Sequence, residues 1–532
     1  MVTAMSPLIG PLDRVAERAE TLAGAWAGRA RASTTIGRER AQLRLLGVGG
    51  LDAAGKPLVW AAVDRYLQPR RSRLAGGVML PFAMALVEYD LGPQQLALDV
   101  ASGAVDLAME AELLREPDRR AVAEEEARRL AAAAIERIDA NRTARSELLG
   151  VLGDPARPWI GTTIADPEIE DAIETARAAL EAGADVVEVE IPIGRELADR
   201  LRDAGLDAPV WRPRDGDLQA DDESHAPTGS QRALGALRRQ LDEIAAQRRN
   251  YVRMAAVPPP LGAPETAVVA AFERVDLVVA DPMAEIVDGH VAPERALADH
   301  AFAHAMLARA GVVVSLSAGP LVVGPDLARG MPSDPATRAG RALALQALSV
   351  AVARGNGVAD EQLLIGALPS WIVGESQPAA RAAAEVAIRR ELFAGLPLAF
   401  TEPLVEARRS SGELWAAIVA AVAPPGPSGM LVLRRPEPDA ATAIREARTS
   451  AAISAELDAA YAPRALAGVA LDHAKATIAA AVMTLDRLAD DGWRSVLGDQ
   501  PGRTESVRLG ADSVVERSEA FDPFELALAA VT

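Results

Sequence analysis

Two periodicities divide the chain. Up to about residue 150, apolar side chains recur every three to four positions, as in Leu12–Ala32 and in the Arg/Glu/Ala-rich stretch Asp118–Leu149, and this spacing predicts helices. Between them, Thr34–Asp52 ends in a glycine-rich turn followed by Pro57, which reads as a helix closed by a glycine C-cap. From Pro158 the rhythm changes. Short β-rich runs alternate with amphipathic helices: Trp159–Ala165, Ala184–Ile191, Tyr251–Val257, Val275–Ala280, Val312–Ser317, Gln362–Ala367 and Leu396–Phe400. Such alternation predicts an α/β domain with a parallel sheet, with a closed (β/α)8 TIM barrel as the leading form and an open doubly wound sheet as the alternative. No glycine-rich dinucleotide fingerprint follows any of these runs, which weighs against the open sheet. Ala208–Arg212 is the candidate eighth strand. The expected organisation is an N-terminal helical accessory region over 1–150, a TIM-barrel catalytic domain over 151–425, and a C-terminal helical region over 426–532.

Composition narrows the chemistry. The 532 residues carry 56 basic and 75 acidic side chains, a net charge of −19 that argues against nucleic acid or anionic membrane as the main partner. There is no cysteine, which excludes disulfides, thiolate catalysis and Cys-ligated zinc or iron–sulfur sites. With no secretory start and no uncharged apolar run near membrane-spanning length, a cytoplasmic protein is expected. Only Lys56 and Lys475 are lysines, so no side chain between residues 57 and 474 can form a Schiff base.

Strand parity locates candidate site residues. In a parallel barrel the branched residues face the helices, so Val187, Val189 and Ile191 should point outward, and Glu188 and Glu190 into the barrel. The same parity turns Arg253 inward, where it could pair with Glu188. Glu190 stands nearer the C-terminal end of its strand, where barrel active sites gather. Asp281 ends the run VDLVVA with Glu285 behind it, Ser315 and Ser317 share one face of VVVSLS, and Glu402 follows Leu396–Phe400. We therefore take Glu190, Asp281 and Glu285 as catalytic candidates, and Glu188, Arg253, Ser315, Ser317 and Glu402 as candidates for binding substrate. Asp281, Glu285, Ser315, Ser317 and Glu402, each taken alone, would more often be a helix cap or a turn former, and Glu188 with Arg253 could equally be a barrel-filling pair. His300 and His304 lie four apart, but no Glu follows His300 as in a metalloprotease helix, so they read as a buried helix face. His225 sits in a long loop that ends Pro227-Thr228-Gly229-Ser230, which reads as loop capping.

The block Thr34, Thr35, Glu39, Arg40, Arg44, Leu45, Leu46, Gly47, Gly50 and Asp52, continued by Gly55-Lys56-Pro57-Leu58 and Val63-Asp64, resembles the N-terminal signature of the lysine 5,6-aminomutase α subunit. Gly183-Ala184-Asp185, Tyr251-Val252-Arg253, Pro264-Glu265 and Glu273-Arg274-Val275-Asp276 follow that family's order, so the likeness covers roughly residues 20–410. The resemblance implies a barrel whose top faces adenosylcobalamin carried by a small Rossmann-domain β subunit. That partner would supply both the histidine under cobalt and the lysine that holds pyridoxal phosphate (PLP). Asp288-Gly289-His290-Val291-Ala292-Pro293 nearly matches the Asp-x-His-x-x-Gly cobalamin pattern, but it ends in proline and lies in a barrel loop, so we read it as coincidental.

The departures are as informative as the matches. Aligned on these anchors, the arginine and serine that grip the PLP phosphate in the family fall on Ile191 and Glu196, and a further serine falls on Pro259. The tyrosine stacked on the cofactor ring falls on Ala284, a nearby arginine on Gly289, an acidic pocket residue on Gly319 and a substrate-contacting lysine on Ala399. A phosphate dianion without its donors loses several charge-assisted hydrogen bonds, so PLP binding is expected to be lost or rebuilt. Three readings follow. One is an adenosylcobalamin-dependent mutase or eliminase working without PLP on a hydroxyl, amine or acyl substrate. The second is a genuine PLP- and B12-dependent lysine 5,6-aminomutase α subunit, and the third a non-catalytic cobalamin-binding assembly.

Overall fold

A strand covered by helices on one side and closed into a ring on the other buries both of its side-chain rows. The computed structural model describes residues 8–53, 56–164, 169–190, 230–289, 291–317, 334–368, 376–401, 430–433, 444–445, 448–449, 466–497, 513–517 and 521–529. With β1 (Ser33–Thr35) numbered first, β2 (Trp159–Ile164), β3 (Val186–Glu190), β4 (Arg253–Val257), β5 (Leu277–Val279), β6 (Val313–Leu316), β7 (Leu363–Gly366), β8 (Leu398–Thr401) and β9 (Met430–Leu433) form one closed parallel barrel. Seven of these are the runs read from the sequence. The eighth is a correction. Met430 pairs in register with Ala399 on one side and Trp159 on the other, so MLVL closes the ring. Ala208–Arg212, expected in that role, lies outside the described residues. The barrel thus runs past residue 425, into the stretch expected to be helical.

The two rows separate as strand parity requires. Ile160, Val187, Met254, Ala256, Val278, Val314, Ile365 and Leu398 join the large core shared with the helices. Trp159, Val186, Ala255, Leu277, Leu364 and Ala399 form a separate cluster inside the barrel.

Among the described residues, seven α-helices precede the barrel. They are α1 (Ile9–Ala32), α2 (Ile36–Leu45), α3 (Leu58–Leu67), α4 (Met79–Tyr89), α5 (Pro93–Ser102), α6 (Leu107–Leu113) and α7 (Pro117–Leu152). Along α7, Ala123, Ala127, Ala131 and Ala134 are buried at helical spacing, a narrow small-residue stripe that permits close packing. The helices around the barrel are α8 (Ile169–Glu181), α9 (Ser230–Arg248), α10 (Ala263–Phe272), α11 (Pro282–Val287), α12 (Pro293–Ala310), α13 (Pro335–Gly355) and α14 (Pro378–Leu392). After β9 come α15 (Gly468–Asp491), α16 (Arg494–Leu497), the strand β10 (Val514–Glu516), antiparallel to β1, and α17 (Pro523–Ala529).

Besides the packing of α1 on α12, α13 and α14, the accessory helices hold the barrel through two sets of polar contacts. Underneath, Asn141 of α7 donates to Ala271 O and Phe272 O at 3.1 and 2.8 Å, at the end of α10. Arg145 donates to Ala310 O and Gly311 O at 3.1 and 2.8 Å, at the end of α12. A cation on these otherwise unpaired carbonyls complements the negative end of the helix dipole.

The second set is that of α2. Thr35 accepts from Arg38 N at 2.9 Å, capping the helix, and donates to Asp299 of α12. Thr34 donates to Glu39, whose other oxygen accepts from Val78 N at 2.7 Å. Arg44 reaches Gln231 at 3.0 Å and lies 3.9 Å from Glu265 in the first turn of α10, while Trp60 donates to Glu265 at 2.9 Å. A Cβ on Gly37 would stand 2.6 Å from the Arg295 guanidinium, so glycine there lets α2 close onto α12. The expected glycine C-cap is present, with Gly47 at φ +90°. Among the described residues, no helix is long and apolar enough to cross a membrane.

Candidate active site at the barrel mouth

Inside the barrel the inward row changes character from bottom to top. The lower part is the apolar cluster around Trp159, Leu277 and Leu364. Below it Arg253 lays its guanidinium 3.8 Å from the centre of the Trp159 ring and pairs with Asp154 at 2.5 Å. This corrects the expected Glu188–Arg253 pair. Arg253 is in register with Val186, and Glu188 with Ala255, so the two charges share a face but not a height. Glu188, buried, instead accepts from the Thr163 hydroxyl of the neighbouring strand at 2.8 Å. Thr163, Val257, Val279, Ser315 and Gly366 keep intermediate exposure although they belong to the inward row. Above the apolar floor, toward the C-terminal ends of the strands, the inward row is thus less completely buried than below, and we refer to that level as the chamber.

The candidate residues divide into several environments. Glu188 and Ser315 belong to the chamber, and Ser315 faces it from β6 in register with Val279. Glu190 ends β3 in register with Val257, and its side chain lies outside the described part. Glu402 also lies outside the described residues, as do His225, His290, Ile191, Glu196 and Gly319.

Asp281 is a strut. One carboxyl oxygen caps α11 by accepting from Met283 N and Ala284 N at 2.9 and 3.2 Å, and it also takes the Ser349 hydroxyl at 2.5 Å. The other oxygen accepts from Ser317 N and the Ser317 hydroxyl at 2.9 and 2.6 Å. Gln346 of α13 then joins β6 to β7, donating to Ser317 O and Gly366 O at 2.9 and 2.7 Å. These bonds occupy Asp281 and Ser317 and fix the tops of β5, β6 and β7 relative to α13.

Glu285 sits in the helical layer. It accepts from Leu261 N at 2.6 Å and lies 3.3 Å from His300 Nδ1. Burial, and less strongly the nearby Asp299, push its carboxyl above the usual range, against the opposing effect of His300. The two histidines of α12 are satisfied as a helix face. His300 Nδ1 is bonded to Ala296 O at 2.9 Å. His304 Nε2 donates to Ala280 O at 2.9 Å, and Nδ1 accepts from Asn356 at 3.3 Å. Burial, together with its neighbour His300, brings the His304 pKa down to about 3. Among the described residues no group of His, Asp and Glu could hold a metal ion. A separate groove of about 350 Å³ between α1 and the end of α13 is lined mainly by small apolar residues and lies toward the opposite face.

The barrel residues that carry the sequence resemblance, apart from Pro264-Glu265, cluster elsewhere, at the strand starts. Asp276, ahead of β5, accepts from Tyr251 Oη at 2.8 Å, Arg238 at 3.1 Å and Met254 N at 2.9 Å, with Arg145 at 3.5 Å. Asp185, ahead of β3, accepts from Ile160 N at 2.9 Å and Arg448 at 2.8 Å. A barrel's stability is organised at this lower face and its chemistry at the upper one.

The sequence model of the D-lysine 5,6-aminomutase TIM-barrel domain of the alpha subunit matches residues 11–419. The chain belongs to this family. The aminomutase-family chain is 26% identical over 373 residues to the lysine 5,6-aminomutase alpha subunit of Fusobacterium nucleatum, covering 70% of this chain and 66% of that relative. It is 27% identical over 283 residues to the alpha subunit of Acetoanaerobium sticklandii, covering 53% of this chain and 50% of that relative. The chain thus spans between half and two thirds of the length of these relatives. Among solved structures, a Yersinia pestis DHPS covers 57% of this chain and 99% of its own at 14% identity and a TM-score of 0.34.

Proposed function

We propose that this aminomutase-family chain is the barrel subunit of an adenosylcobalamin-dependent isomerase whose PLP site has been lost. The observation that carries the reading is the partly exposed inward row, Thr163 and Ser315 among it, above an apolar floor on the side where barrels work. When bound, adenosylcobalamin supplies a carbon-centred radical that takes hydrogen from a substrate. A lining free of thiols suits that chemistry, since the chain has no cysteine to quench a radical. The described histidines are engaged within the protein, which supports a lower cobalt ligand supplied by a small Rossmann-domain partner.

The chain's own residues bind and orient. Glu188, held by Thr163, and the Ser315 hydroxyl offer hydrogen bonds to a hydroxyl or amine of the substrate. Glu190 adds a second carboxyl higher on the same strand. Asp281 and Ser317 act as positioning residues that keep the β5 and β6 tops in place.

PLP does not fit the residues present. Pro259 has no N–H, while Ala284, Gly289 and Ala399 bring neither a polar side chain nor an amine. A side chain at 289 would start 2.7 Å from Glu285 O, so an arginine cannot be restored there without moving α11. No step is routed through PLP. The test is cofactor analysis of the chain purified together with its small partner. One corrinoid per barrel and no aldimine absorbance supports the proposal. Stoichiometric PLP would make it a genuine lysine 5,6-aminomutase subunit. Cobalamin binding without exchange of hydrogen into its 5′-position, across amine and hydroxyl substrates, would leave a non-catalytic carrier.

A further inference from the structure

Arg341 stands in the second turn of α13, the helix that descends from the barrel mouth after β6. The residue is half-buried, and its Nε is buried with no hydrogen-bond partner, as are those of Arg38, Arg145, Arg238 and Arg389; what sets Arg341 apart is that, among the described residues, no carboxylate or carbonyl answers the rest of its guanidinium. Other inward arginines are answered: Arg238 by Asp276, Arg389 by Glu385, Arg145 by helix carbonyls, and Arg38 by Asp522. Among the described residues no carboxylate comes within ion-pair distance of Arg341, and Asp288 acts on it only through its field. Desolvation lowers the guanidinium's hold on its proton, and nothing in the fold compensates that cost with a direct contact.

The position is specific. Two turns further along α13, Ser349 is bonded to Asp281 at the end of β5, and Gln346 to the carbonyls of Ser317 and Gly366. Arg341 therefore sits about 12 Å higher on a helix already fixed to the strand ends, beside the loop that starts at Asp288. A cation kept half-buried without a partner at the working rim is a local cost of the kind proteins carry at binding sites.

We infer that Arg341 is an oxyanion-docking residue of the barrel mouth. Its guanidinium fork suits a carboxylate or a phosphate, taken through two parallel hydrogen bonds. With Glu188 deep in the chamber and Arg341 at the rim, the site has opposite charges at different heights. A ligand arriving at the mouth would bring an anionic group to Arg341. The inference rests on the mouth being the working face.

The experiment is thermal unfolding of the full-length chain with increasing sodium malonate or sodium phosphate at constant ionic strength, for wild type, Arg341→Gln and Arg341→Lys. Binding to the folded state raises the midpoint with ligand concentration. The expected result is saturable stabilisation by at least one anion, about tenfold weaker or absent in Arg341→Gln and partly kept in Arg341→Lys. A response to malonate alone identifies a carboxylate ligand, and one to phosphate alone a phosphate ester. Without anion, Arg341→Gln should melt at or above the wild-type midpoint, since no contact is lost. If neither anion stabilises wild type, if Arg341→Gln responds equally, or if that variant melts well below wild type, the assignment is wrong. The measurement uses no B12, so its failure is distinct from failure of the cobalamin reading.

Discussion

Thr163 and Glu188 meet inside the barrel at 2.8 Å, on neighbouring strands and in register with each other. The pair marks the height at which the inward row turns from apolar to polar. Below it, Trp159 and Leu364 fill the ring; around and above it, Ser315 and Gly366 are accessible. A buried carboxyl is costly unless it is bonded or used.

Glu188→Gln should therefore keep the fold, because the amide oxygen still accepts from Thr163, while weakening the chemistry. A lost charge-assisted hydrogen bond of about 1.5–3 kcal/mol predicts a fall of about 10- to 100-fold in kcat/KM of the reconstituted complex. Thr163→Val should reproduce part of that loss. Unchanged kinetics in both variants would make the pair structural.

Asp281 behaves differently. It accepts five hydrogen bonds, from Met283 N, Ala284 N, Ser349, and both the amide and hydroxyl of Ser317. In Asp281→Asn an amide NH2 must face donors, which predicts a loss of about 3 kcal/mol in urea unfolding. Loss of activity with full stability would return Asp281 to a direct catalytic role.

His304 gives a pH signature. Its folded pKa, about 3, lies below the unfolded value near 6.5. Between those values the unfolded chain holds a proton that the folded chain does not, so stability falls as pH drops through the window. The slope reaches about 1.4 kcal/mol per pH unit. Asp522, held down to about 2 against burial by Arg38 and Arg517, contributes stability that is lost only as pH falls from about 4 toward 2. From pH 6.5 to 4, the difference in urea stability between wild type and His304→Gln should thus shrink steadily. A constant difference would show that His304 titrates normally.

Much of this architecture is legible in the residues. The seven runs from Trp159 to Phe400 are strands because branched residues alternate with a second inward row, and Val187 faces the helices as that parity demands. The eighth strand was misplaced because MLVL is only four residues long and follows a proline-rich stretch, while APVWR sits among better-defined units. The Glu188–Arg253 pairing failed because parity gives the face but not the height, which depends on parallel register. Asp281 and Ser317 were found as residues, yet a strand-end carboxylate looks the same in sequence whether it caps a helix or touches a ligand. Arg341 carries no sequence signal at all. It is one of 54 arginines, set apart only by having a carboxylate's field and no direct partner around it.

The central claim, a corrin delivered over the C-terminal ends of the strands, can be tested by distance. The chain has no cysteine, so single nitroxides can be placed at Pro260→Cys, in the loop after β4, and at Val151→Cys, near the barrel's underside and 82% exposed. Electron–electron distances to cob(II)alamin in the complex with the partner subunit should be shorter from position 260 than from 151 by about 15 Å or more, the length of a barrel strand. Equal distances, a shorter distance from 151, or no bound cob(II)alamin would contradict the account.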